Sequence, residues 1–328
     1  MPLASNSPTY EVIPGWAKIP AGWDLIEVPG LAVDSRDRIF VFTRGEQPVV
    51  IFDRDGNVLA SWGTGQFRRP HASIIGPDDC LYCVDDVAHS VRKYSPEGKL
   101  LKTIGPSGSP SDTGFAPNDF LSVKHGGPPY NLPTSIALSP AGEIYVADGY
   151  GNSRVHKFSP EGYLLLSWGE PGLGPGQFHL VHGIAVDRQG RVYVGDRMNS
   201  RIQVFTPGGE FLAQWNDVYQ PNDIYIDAED RVFVAEIGYQ ADLPMPGPAP
   251  LPEDTFSRVT VRDLQGRILS KITSPDRGGP GGFLGAHAVK TDSYGDLYVG
   301  EVSATGARLE GKERHAFHFL QKFRRLRA

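Results

Sequence analysis

A chain of 328 residues is too long for one small domain and short for three, and a composition of 40% hydrophobic and 21% charged residues excludes a disordered protein. No stretch reaches the roughly 18 consecutive apolar residues of a membrane helix, so no membrane partner is expected. The net charge of −6, from 32 basic and 38 acidic residues, gives no bulk attraction to nucleic acid and points to a small molecule or a protein as partner. The 39 Gly and 28 Pro are dispersed along the chain, which predicts many short elements joined by turns, an all-β fold.

Residues 1–16 show neither a basic region nor a continuous apolar run, so a cytoplasmic location is expected. The segment 9–18, TYEVIPGWAK, precedes a pattern that recurs six times. Its second strands read IFVFTR from Ile39, LYCVDD from Leu81, IYVADG from Ile144, VYVGDR from Val192, VFVAEI from Val232 and LYVGEV from Leu297. Third strands such as SRVHKFSPEG (from Ser153) and fourth strands such as LLLSWG (from Leu164) follow, joined by Pro-Glu-Gly and Pro-Gly-Gly turns typical of antiparallel hairpins. Four strands per unit make a propeller blade, because radial stacking buries faces that no single blade could bury.

The blades fall near 24–63, 70–105, 132–169, 180–216, 221–272 and 285–328. The sixth ends at LQKFRRLRA without a fourth strand, so the segment 9–18 is predicted to supply it. The expectation is one six-bladed β-propeller domain, its ring closed by the N-terminal strand. Insertions at 106–131, 239–256 and 303–316 lie in loop classes that share one end of the barrel, where a ligand pocket is expected. Cys80 and Cys83 fall in DDCLYCVDD, where a strand puts them on opposite faces, so no disulfide or redox pair is expected.

The entries to the six innermost strands align as Gly30, His71, Thr134, His182, Asn222 and His287. Histidine occupies alternate blades, related by about 120° around a six-fold ring, so the three imidazoles should converge. Three neutral imidazoles with an open fourth position are the ligand set of a catalytic zinc site, and they also accept other divalent metals. The plainer alternative is that each histidine hydrogen-bonds a neighbouring blade. The loops after the second strands add Arg44, Asp86, Tyr150 and Arg197 on the same end. Two arginines beside a metal suit an anionic small-molecule substrate, or else they pair with the recurrent acids Asp85, Asp148, Asp196, Glu236 and Glu301, which are read as framework. Tyr150 is then either a candidate general base or an aromatic plug. Trp62, Trp168 and Trp215 recur in fourth strands as packing residues. His179 is read as a possible support for the tripod, while His89, His125, His156, His315 and His318 receive no role.

The segments HGIAVDRQGRVYVGDRMNSRIQVF and IYVADGYGNSRVHKFSPEG resemble NHL repeats, and the chain from about Gly15 resembles the bacterial branch of the peptidyl-α-hydroxyglycine α-amidating lyase family. The resemblance implies a zinc held by His71, His182 and His287, a catalytic Tyr150, and active-site arginines at Arg44 and Arg197. It implies cleavage of a carbinolamide C–N bond to an amide and an aldehyde, glyoxylate in the family's own reaction. The family's methionine before the third histidine is Gly285 here, and its calcium-binding aspartate is Ala288, which argues against a structural calcium. A propeller lactonase or other metal-dependent hydrolase, and a non-catalytic NHL module binding protein or RNA, are the competing readings.

Overall fold

The recurring apolar run, turn and acid fold six times into the same four-stranded antiparallel sheet in the computed structural model. The structure describes residues 7–238, 256–305 and 318–327. Second strands such as Ile144–Asp148 and Val192–Asp196 are buried along their whole length, because neighbouring blades cover both faces. Outer strands such as Leu100–Ile104 and Phe211–Trp215 are largely exposed. The innermost strands are Gly30–Val33, Pro70–Ile75, Pro133–Leu138, Val181–Val186, Pro221–Ile226 and Ala286–Thr291.

Ring closure follows the expected route. Thr9–Ile13 pairs antiparallel with Leu320–Leu326, in register from Thr9 opposite Leu326 to Ile13 opposite Lys322, and completes the sixth sheet. The blade that holds the last residues therefore also holds the first.

In five blades the acid that ends the second strand sets where the inner strand of the same blade begins. Asp85 accepts the backbone amides of Arg68 and Arg69, Asp148 that of Asn131, Asp196 that of His179, Glu236 that of Tyr219, and Glu301 those of Leu284 and Gly285. Each carboxylate thus clamps the segment that enters its own blade, and the framework reading of these acids holds. Burial pushes Asp196 up to about 6 and Glu301 up to about 7, against the pull of the hydrogen bonds they accept. In the first blade Thr43 takes this place, accepting from the Gly45 amide and donating to the Gln47 carbonyl.

Blades are also locked at the outer rim. Trp62, Trp168 and Trp215 each lie against the turn glycine of the following blade, Gly98, Gly209 and Gly266, whose φ values are +89°, +84° and +88°. A Cβ on Gly98 would stand 2.5 Å from the Trp62 ring, so this position needs glycine both for its left-handed backbone and for its lack of a side chain.

Two features depart from the repeat. A short parallel pair, Glu170–Pro171 with Gln177–Phe178, stands between the third and fourth blades, and its Phe178 ring is buried 5.8 Å from Phe205. Cys80 lies in the turn before the strand Leu81–Asp85 and not on it, because its amide donates to the Asp78 side chain; Cys80 and Cys83 are both free thiols. Of the insertions, 106–131 is described, whereas 239–255 and 306–317 lie outside the described residues.

The glycine–indole contact predicts a difference between two substitutions. Gly98→Ala should cost about 3 kcal/mol, from backbone strain plus the clash with Trp62. Gly142→Ala, at φ +82° with its nearest neighbour 3.5 Å from the new Cβ, should cost only about 1 kcal/mol. Equal losses in denaturant unfolding would remove the indole contact from the account.

Candidate metal centre

The side chain at the head of each inner strand reaches across to the backbone of the next blade. His71 Nδ1 lies 2.5 Å from the Thr134 carbonyl, Thr134 Oγ1 2.9 Å from that of Val181, and His182 Nδ1 2.7 Å from that of Asn222. Asn222 Nδ2 lies 2.9 Å from the Ala286 carbonyl, and His287 Nδ1 2.9 Å from that of Pro29. A carbonyl oxygen can only accept, so each of the three Nδ1 atoms carries the proton and each Nε2 presents a lone pair. The hydrogen bond to the neighbouring blade uses one end of each ring and leaves the other end facing its two counterparts, so it does not compete with the metal reading.

The three imidazoles form a nearly equilateral set, with ring centres 4.9, 5.0 and 4.9 Å apart. One nitrogen from each lies within 4.8 Å of the others, and all three residues are buried. Burial holds them neutral, with the like charge of the other imidazoles and the nearby arginines acting the same way. His71 and His182 are held well below the usual imidazole range, and His287 is lowered to about 3.

Tyr150, 9% exposed, closes the set from the third blade. Its hydroxyl lies 3.0 Å from His71 Nε2 and 3.2 Å from His182 Nε2. That hydroxyl has one proton and can donate to only one of the two nitrogens, so the remaining lone pairs converge without a proton between them. A cation at their focus relieves this repulsion, and the orientation of each ring by a backbone carbonyl is the outer-shell pattern of metal-binding histidines. The donor set therefore fits a divalent metal.

Around this core the predicted rim is only partly as expected. Asp86 is fully buried beneath Arg69, whose Nε and Nη2 donate to it at 2.5–2.9 Å. Arg44 pairs with Glu27 and donates through Nε to the Pro70 carbonyl, so its partner is not one of the recurrent blade acids. Glu27 in turn accepts from the backbone and hydroxyl of Thr305. Arg197 has no ion-pair partner among the described residues, and its Nε is buried without a hydrogen bond. Phe120, from the 106–131 insertion, packs on Tyr150 with ring centres 5.1 Å apart, and Leu132, Leu180 and Met198 complete an apolar wall.

Sequence reasoning missed Arg69, Glu27 and Phe120. Arg69 could have been found, since it precedes His71 by two residues and its guanidinium lies 5.6 Å from the centre of the Tyr150 ring. Of the remaining histidines, His89, His156 and His179 make framework hydrogen bonds, whereas His318 Nε2 is buried without a partner among the described residues. His179 bonds Asn199, His89 accepts the Leu132 amide, and His156 lies between Asp148 and Ser167. His125 is exposed and His315 lies outside the described residues.

Beyond the tripod the central channel holds a cavity of about 160 Å³. Lys290 projects there, its ammonium 3.0 Å from Asp223 Oδ2 and 2.9 Å from the Val289 carbonyl. With Ala288 beside His287 and an ammonium already paired with the nearby carboxylate, these residues do not form the oxygen cage that calcium requires.

The NHL repeat model matches residues 130–158 and 178–205, the first three strands of the third and fourth blades. Human NHL repeat-containing protein 3 is 32% identical over 225 residues, which cover 64% of this chain and 60% of that protein. Peptidyl-alpha-hydroxyglycine alpha-amidating lyase 1 of Drosophila melanogaster is 30% identical over 175 residues, 49% of this chain and 30% of that protein. The chain thus spans less than two thirds of the length of the curated relatives it matches. Virginiamycin B lyase from Staphylococcus aureus shares the fold, with a TM-score of 0.53 at 14% identity over 85% of this chain and 78% of that one. The chain is a six-bladed propeller with NHL repeats in its third and fourth blades, and it resembles the α-amidating lyases. No helix among the described residues is long and apolar enough to cross a membrane.

The neutral tripod has a pH signature. An unfolded chain protonates its histidines near pH 6.5, whereas the buried cluster resists protonation until far lower pH. The stability it carries is therefore complete above about pH 6.5 and is lost as pH falls towards 3. Metal-free protein should lose melting temperature between pH 7 and 5, and His287→Asn should make that fall shallower. Asp196 and Glu301 act in the opposite sense and cancel in the paired comparison. Identical slopes would show that the cluster already carries a proton in the folded state.

Proposed function

We propose that the protein is a metal-dependent lyase that cleaves the C–N bond of an anionic carbinolamide, releasing an amide and an aldehyde. The observation that carries this reading is the Tyr150 hydroxyl at 3.0 and 3.2 Å from two imidazole nitrogens, in a pocket edged by Arg44 and Arg197. The 30% identity to an α-amidating lyase of Drosophila melanogaster supports the same class of reaction.

His71, His182 and His287 hold the metal in this account, and zinc is the ion that best suits three neutral imidazoles with an open position. When bound, it supplies Lewis acidity to the substrate oxygen. Tyr150 Oη, acting as the phenolate, takes the proton of the substrate hydroxyl. The C–O bond then becomes a carbonyl as the C–N bond breaks, and the proton returns to the leaving nitrogen. R–CO–NH–CH(OH)–COO⁻ thus gives R–CO–NH₂ and OHC–COO⁻, with atoms and charge conserved and no redox partner required. Arg197, free of a protein carboxylate, binds the substrate carboxylate, while Glu27 holds Arg44 at the edge of the site. The apolar wall of Phe120, Leu180 and Met198 keeps water from the reacting bond.

An N-acyl-α-hydroxyglycine is the direct test. Metal-loaded protein should release the amide, Tyr150→Phe should lower kcat by on the order of 10²-fold or more with little change in KM, and Arg197→Gln should act mainly on KM. Unchanged kcat in Tyr150→Phe would overturn the assignment of the base. Wild-type protein that leaves this substrate intact while opening simple lactones would replace the lyase with a hydrolase.

A further inference from the structure

The residue two places ahead of each inner-ring position points to the Tyr150 face in three blades. In the second blade it is Arg69, over the Tyr150 ring. In the third and fourth it is Leu132 and Leu180, both packed with Tyr150. The matching residue of the fifth blade is Gln220, two before Asn222. Leu132, Leu180 and Gln220 share a left-handed backbone, with φ of 58°, 66° and 49°. Their carbonyls are anchored alike, by the amides of Tyr150, Arg197 and Ile237 at 3.4, 3.0 and 3.2 Å. The same turn, anchored in the same way, sends all three side chains to the same side of the ring.

Gln220 is fully buried, and neither Nε2 nor Oε1 has a hydrogen-bond partner among the described residues. Two neighbours share this condition: Asn222 Oδ1, at the ring position itself, and Arg197 Nε, on the adjoining blade. Buried polar atoms are almost always paired, and an unpaired one is costly. Gln220 and Arg197, on the loops of adjoining blades at the Tyr150 end of the ring, mark where a polar ligand is received.

A carboxamide with both ends free presents a donor and an acceptor side by side, and its complement is another amide. We infer that Gln220 recognises the amide of the substrate, with Nε2 donating to the acyl carbonyl and Oε1 accepting from the N–H, while Arg197 takes the carboxylate. The substrate class is then an N-acyl α-hydroxy amino acid with a secondary amide, and tertiary amides and esters are rejected. This inference rests on the carbinolamide reading and specifies how that substrate is selected.

Two probes of nearly the same shape test it on metal-loaded protein by calorimetry: N-acetylglycine, and 4-oxopentanoate, in which a methylene replaces the N–H. Wild-type protein should bind N-acetylglycine roughly tenfold more tightly than 4-oxopentanoate. Gln220→Met should lose that preference, bind 4-oxopentanoate more weakly as well because its ketone loses the Nε2 donor, and melt at the same or a higher temperature, since it removes unpaired buried atoms. Gln220→Glu, which keeps the acceptor and loses the donor, should also weaken N-acetylglycine and provides the reading if the Met variant does not fold. Equal binding of the two probes by wild type, an undiminished preference in Gln220→Met, or undiminished N-acetylglycine binding in Gln220→Glu overturns the role of Gln220. Turnover of an N-acyl-α-hydroxyglycine separates the two claims. Turnover without the binding preference sinks this inference alone, and the preference without turnover sinks the lyase reading alone.

Discussion

In five of the six blades one side chain at the entry to the inner strand ties that blade to the next, and the rest of the molecule is arranged around that chain of bonds. From His71 to Thr134, Val181, His182, Asn222, Ala286, His287 and Pro29, side-chain donors and backbone carbonyls run head to tail around the axis. Gly30 is the one position without a side chain, and a Cβ there would press within 3.0 Å of Ser73. An imidazole is the side chain that can serve such a ring and still have a second functional end. Using Nδ1 for the neighbouring blade leaves Nε2 unprotonated and facing its two counterparts, the orientation that a metal ligand would also need.

The pocket above that ring is asymmetric because the six blades supply different residues at equivalent positions. Blades one, two and four bring Arg44, Arg69 and Arg197, while blades three and four bring the apolar wall around Tyr150. The fifth blade brings unpaired amide groups. An anion with one apolar flank and an amide meets a complement on each side. The acids at the ends of the second strands hold these loops by their backbone amides, which frees the side chains of the same loops for the ligand.

Much of this was legible in the sequence, for identifiable reasons. A repeat of four strands has few ways to bury its faces, and a sixth copy lacking an outer strand needs one from elsewhere, so the pairing of Thr9–Ile13 with Leu320–Leu326 followed from counting. The convergence of His71, His182 and His287 followed from their common place in the repeat. What the repeat could not disclose were contacts between different repeat positions. Glu27 reaching Arg44, Asp86 sinking beneath Arg69, and Phe120 folding from an insertion onto Tyr150 all depend on loop paths with no periodicity to reveal them. Gln220 belongs to a periodic position, yet its significance lies in lacking a partner, which only coordinates can show.

The central claim is that three neutral imidazoles, oriented by the blades beside them, bind one metal ion. Plasma mass spectrometry on protein purified without an affinity tag, beside a His71→Ala/His182→Ala double variant, tests it most directly. The account predicts about one zinc or other transition metal per chain in the wild type and its loss in the variant. Wild-type protein that is metal-free and takes up no added zinc would contradict it.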